Sequence, residues 1–226
     1  MSEAFEEKIE AAERAIRDGQ PPEQKIEGTQ WLVDLYEEAD GFAIKAPRNP
    51  SVNTTKELHG RHVKTIKLMR TKYYEPKGID KIPVPKMALI NNGQQMVQER
   101  VYGRTLDELT EDEIKALPAE TLMDLWLLLD CALKVNSKNG RMTDFVDLPG
   151  YNFKLHPLKR IIRALQARYS INIMIGNDNQ LYFVDPDLYY ASTRTPLTKA
   201  SAASMKPLMM LLTRVFRDQI GSAIYQ

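Results

Sequence analysis

Ile171-Asn172-Ile173-Met174-Ile175-Gly176-Asn177-Asp178-Asn179-Gln180-Leu181-Tyr182-Phe183-Val184-Asp185-Pro186-Asp187 is the stretch on which the fold turns. Two short apolar runs, 171–175 and 181–184, flank the polar turn Gly176-Asn177-Asp178-Asn179, the pattern of a hairpin. A hairpin draws together the residues at its open end, here Asn172 and Asp185. An amide oxygen and a carboxylate are hard ligands suited to Mg²⁺, which takes waters and phosphates as its other ligands. A carboxylate delivered by a nearly buried strand needs a partner, because an unpaired buried charge is costly. A strand-end Asp opening the turn Asp185-Pro186-Asp187 has the same local sequence.

The chain before this hairpin divides by composition. Residues 3–18 read as a charged helix with Phe5, Ile9 and Ile16 as a thin apolar stripe, ended by Gly19 and Pro21-Pro22. Residues 25–46 read as strands, with Ala39-Asp40-Gly41 as a turn. A helix from Thr54 or Thr55 to about Lys72 follows, then a Pro-rich loop. Strands over 86–90 and 94–102 flank Asn91-Asn92-Gly93. Gly103-Arg104-Thr105 connects to helical sequence. Residues 118–136 form the strongest helix, with Leu122, Leu125, Trp126, Leu129 and Leu133 at helical spacing. Residues 139–153 read as loop, 156–168 as a basic helix, and 198–220 as closing helices. Strand-rich sequence followed by helix-rich sequence predicts a bilobal α+β arrangement. Its parts are an N-terminal helix (1–24), a strand-rich N-lobe (25–103) and a helical C-lobe (104–226).

Further chemistry-bearing residues lie in the first half. Phe42-Ala43-Ile44-Lys45 is an apolar strand ending in a lysine. Alternation sets Ala43 and Lys45 on one face, where the ammonium can neutralise phosphate oxygens. A solvated strand-end lysine has the same sequence. Glu57, early in the next helix, either holds Lys45 extended or caps the helix, since Thr54 and Glu57 stand at capping-box spacing. In Gln98-Glu99-Arg100-Val101-Tyr102-Gly103, backbone groups of Glu99 and Val101 can hydrogen-bond the edge of a planar base; any loop between elements that holds a glycine has the same look.

Composition removes several classes of function. The 226 residues carry 31 Lys and Arg against 30 Asp and Glu, so the chain is no general nucleic-acid coat. No run approaches the ~18 apolar residues of a membrane span, and the first 18 residues lack the apolar core of a secretory signal. The single cysteine, Cys131, sits in an apolar run and reads as a buried structural thiol. His59, His62 and His156 lack the companions of a zinc set and read as solvated or packed. Lys154, Lys159, Arg160, Arg163 and Arg168 read as a solvated helix face, or as a docking surface for an acidic partner.

Taken together and in order, these motifs resemble the protein-kinase-like superfamily over residues 25–220. Phe42–Lys45 resembles the strand that presents the phosphate-binding lysine, with Glu57 as its helix partner. Residues 98–106 resemble the hinge of bacterial and small-molecule kinases. Ile171–Ile175 resembles the end of the catalytic loop, and Tyr182–Asp187 the metal-binding Asp motif, with Pro186 where Phe is common. Asp185 follows Asn172 by 13 positions, the spacing of that family's two metal ligands. The resemblance implies a bilobal fold with a reduced C-lobe, as in small atypical or degenerate bacterial effector-type kinases. It also implies ATP and Mg²⁺ as cofactors, a protein partner or substrate, and a cytoplasmic protein, or one delivered into a host cell.

Three departures bear on activity. No Gly-x-Gly-x-x-Gly precedes Lys45. Ala167 stands where the family places its catalytic Asp, and no Ala-Pro-Glu follows Asp185. Asp144 and Asp147, on the loop after the long helix, are the candidate replacement bases; an ordinary acidic loop has the same sequence. The expectations are an atypical phosphotransferase, a pseudokinase that binds without transfer, or a kinase fold running another transfer such as nucleotidylation.

Overall fold

A computed structural model describes residues 2–28, 31–51, 53–80, 82–139, 141–143, 172–186, 188–190, 210 and 212–214. It is an α+β protein whose strand pairings are antiparallel among the described residues. Its contacts form two units, one of Met1–Leu68 and Val84–Tyr102, the other of Met69–Pro83 and Gly103–Gln226.

The first unit is a five-stranded sheet. Strands β1 (Gln24–Glu27), β2 (Trp31–Tyr36), β3 (Phe42–Pro47), β4 (Met87–Ile90) and β5 (Gln95–Glu99) lie in the order β1-β2-β3-β5-β4. The strands expected at 42–46 and 94–102 are thus neighbours in one sheet. Helix α1 (Glu3–Arg17) packs Phe5, Ala11, Ala12 and Ala15 against Tyr36, Phe42, Ile44, Ile90 and Val97. Burying Phe5 alone is worth ~1.5–3 kcal/mol, so the N-terminal helix belongs to this core rather than standing apart. Helix α2 (Thr55–Met69) sets Leu58 against Trp31 and Met96. The helix expected to run to Lys72 changes at Met69 into a single π-turn over Arg70–Tyr74, whose Tyr73 and Tyr74 are buried.

The second unit is built on α4 (Ala119–Asn139), whose Leu122, Leu125, Leu128 and Leu129 are buried. Beside it lies a three-stranded sheet of β6 (Gly103–Thr105), β8 (Ile173–Gly176) and β9 (Leu181–Phe183), in the order β6-β8-β9. Two short strands stand where connector or loop was expected, and a short helix follows the first, as the helical sequence after the connector predicts. Strand β6 forms where Gly103 was expected to lead directly into helix, because its bare Cα lets the backbone pass Ile175: an added Cβ would lie 2.0 Å from the Ile175 oxygen. Helix α3 (Glu111–Lys115) starts at a Thr110–Glu113 capping box. Strand β7 (Arg141–Thr143) pairs with β10 (Leu188–Tyr190), although 139–153 was expected to be loop; its partner is remote in sequence. The expected helix 156–168 lies outside the described residues, as does all but a short helical piece of 198–220.

Candidate functional site

Hairpin β8–β9 pairs Ile173 with Phe183, Met174 with Tyr182 and Ile175 with Leu181. Its turn is closed by Asn179 N–H donating to Gly176 O and Gly176 N–H donating to Gln180 O, each at 2.9 Å. Asn179 takes a left-handed φ of 59°, which Asn tolerates better than other side-chain-bearing residues. Asp178 supports the turn by accepting from Gln180 N–H and the Tyr182 hydroxyl. At the open end, Val184 N–H donates to Asn172 O at 2.9 Å. The hairpin therefore extends one residue beyond its last assigned pair and brings Asn172 beside the segment that carries Asp185. Asn172 is buried, and Asp185 is half-buried with Oδ1 withdrawn from solvent. Phe183 N–H also donates to Pro83 O at 2.6 Å, which anchors the strand leading to Asp185.

The sheet of the first unit carries two rows of residues across all five strands on the face opposite α1. One row is Ile26, Val33, Lys45, Met96 and Leu89; the other is Gln24, Leu35, Ala43, Gln98 and Met87. Lys45 thus stands on the face that alternation predicted, flanked by Val33 and Met96. It is 8% exposed, and its Nζ lies 6.0 Å from the centroid of the Trp31 ring, within the range of a cation–π attraction. On the other side Trp31 meets the buried ring of His62, centroid to centroid at 5.8 Å.

Glu57 is exposed, and its Oε2 accepts from Thr54 N–H at 2.7 Å and the Thr54 hydroxyl at 3.0 Å. Thr54 Oγ1 accepts Glu57 N–H in return. Of its two expected roles, this geometry is the helix cap. The hydrogen bond from Thr54 N–H, followed by that from its hydroxyl, lowers the Glu57 pKa. Glu99 ends β5. Its N–H donates to Lys86 O at 3.0 Å, and its carboxylate accepts Lys86 N–H at 2.9 Å and meets Lys86 Nζ at 3.3 Å. Val101 lies in the connector after β5 and is half-buried.

Lys45, Glu57, Glu99 and Val101 belong to the first unit, and Asn172 and Asp185 to the second. Asp144, Asp147 and Ala167 lie outside the described residues. Among the described residues no group of three or more His, Cys, Asp or Glu is placed to hold a metal ion. An Asn–Asp pair suits Mg²⁺, which relies on phosphate and water for the rest of its shell. Sequence alone marks Trp31 only as a strand residue and His62 only as a solvated or packed histidine. Seeing Trp31 beside Lys45 requires the β2–β3 register, which periodicity within one strand does not give. No helix among the described residues is long and apolar enough to cross a membrane. No protein-family model matches the chain, and no curated protein matches it in sequence.

Proposed function

We propose that the chain is an atypical kinase-like protein that binds ATP with Mg²⁺. Asn172 and Asp185 hold the metal, Lys45 neutralises the phosphates, and the backbone of Glu99 and Val101 meets the edge of the base. Ile26, Val33, Leu35 and Ala43, on the Lys45 face of the sheet, supply apolar contact for the base plane. The observation that supports this reading is the backbone hydrogen bond from Val184 N–H to Asn172 O, which sets Asn172 beside the segment that carries Asp185. Transfer of the γ-phosphoryl group rests mostly on positioning and charge stabilisation, with Asp144 or Asp147 as acceptor of the hydroxyl proton.

A second reading, a pseudokinase that binds nucleotide as a regulatory or protein-binding module, draws on the β1–β2 turn. Only residues 28–30 join these strands, and Gly28 N–H closes the turn on Trp31 O at 2.8 Å. Such a turn offers fewer backbone donors to phosphates than the glycine-rich loop of kinases. Ala167 favours the same reading. Calorimetric titration of the chain with Mg·ATP, followed by product analysis of the same sample, separates the cases. Binding with ADP and a phosphorylated product supports the enzyme, and binding without product supports the module. Nucleotide attached to protein means a different transfer, and absence of binding overturns the proposal.

A further inference from the structure

The turn between β2 and β3 is held in a costly shape. Ala39, Asp40 and Gly41 follow one another at φ 52°, 60° and 81°. Left-handed Ala and Asp persist where the surroundings over-determine them. Here the surroundings are α1 and the start of β1. Lys8, 8% exposed, donates from Nζ to Ala39 O and, at 3.1 Å, to Gly41 O. Arg14 pairs with Glu38 at 2.9 Å. Glu23 accepts Glu37 N–H on Oε1 at 2.8 Å and Arg100 Nη1 on Oε2 at 2.9 Å.

The same turn supports the connector after β5. Gly41 O accepts Arg100 N–H at 3.3 Å. The Tyr102 hydroxyl rests where a Gly41 side chain would be, 2.2 Å from an ideal Cβ. The Arg100 guanidinium lies over the Tyr102 ring, 4.6 Å from its centroid. Val101 is held between these two anchored residues.

We propose that Lys8 and Glu23 are positioning residues for base recognition: through the 37–41 turn, the N-terminal helix and the start of β1 fix the connector 100–102 against which the base of a nucleotide binds. This rests on the nucleotide-binding reading and adds what sets its base selectivity. A backbone edge held in one place distinguishes adenine from guanine by hydrogen-bond pattern; a loosened one does not.

The test uses the full chain and the dissociation constants of Mg·ATP and Mg·GTP for wild type, Lys8→Met and Glu23→Ala. Wild type should prefer ATP. Each variant should shrink the GTP-to-ATP ratio by roughly fivefold, about the worth of one hydrogen bond. A purely structural role would weaken both nucleotides together and leave the ratio unchanged, which overturns the inference, as does a wild-type ratio of one. Wild type that binds neither nucleotide overturns the nucleotide reading itself, and this inference with it. If Lys8→Met does not fold, Glu23→Ala, a change at the surface, decides the matter.

Discussion

Val184 donates its backbone N–H to the carbonyl oxygen of Asn172 at 2.9 Å, so the geometry of the hairpin mouth is fixed by main chain and by the apolar residues behind it. Phe183 is fully buried in that scaffold. Phe183→Ala should therefore cost ~3–5 kcal/mol, whereas Asp185→Asn, which keeps the shape of the side chain and leaves no cavity, should cost less. Urea unfolding of the two variants checks this. Equal losses would mean that Asp185 is part of the scaffold rather than a residue displayed by it.

Glu57 bonds to Thr54 at the start of α2. Glu57→Ala should lower the thermal midpoint by loss of the cap and leave Mg·ATP affinity unchanged within error. A clear fall in affinity would return Glu57 to the role of lysine holder.

Glu113 caps α3 and also meets Arg104 at 2.8 Å. The hydrogen bond from Thr110 N–H, followed by that from Arg104, lowers its pKa from 4.5 to about 2. A depressed carboxylate contributes stability that is complete above its ordinary pKa and lost as the pH falls through the folded value. The difference in thermal midpoint between wild type and Glu113→Gln should be constant above pH 4.5, shrink below it and vanish near pH 2. A difference that persists below pH 2 would mean that the carboxylate charge is not what stabilises the cap.

Cys131 is buried on α4, and burial, followed by the neighbouring Asp130 charge, pushes its thiol up to about 12. Since the thiolate is the reactive form, a thiol reagent at pH 8 should modify the native protein negligibly and the urea-unfolded chain fully. Rapid native labelling would show that the α4 packing opens readily.

What the sequence revealed was mostly local. The β8–β9 turn, the 39–41 turn, α1 and the long α4 were legible because Gly and Asn mark turns and apolar spacing marks faces. The Thr54–Glu57 spacing left two roles open until hydrogen bonds separated them. Elements defined by remote pairing were not legible: β7 needs β10, and β6 needs both β8 and the bare Cα of Gly103. The same limit hid Trp31 beside Lys45 and Tyr102 over Gly41, since cross-strand register and loop packing leave little trace in a single segment. Lys8 read as one more charged residue on an amphipathic helix, although its ammonium is buried on two carbonyl oxygens.

Whether Asn172 and Asp185 hold a metal is decided by the Mg²⁺ dependence of ATP affinity in wild type, Asn172→Ala and Asp185→Asn, each titrated with ATP in excess Mg²⁺ and in EDTA. If these side chains hold the metal, Mg²⁺ strengthens binding to wild type by about tenfold or more, and either substitution removes most of that gain. Metal-free ATP should then bind all three proteins alike. An unchanged Mg²⁺ gain in both variants would mean that neither side chain holds the metal.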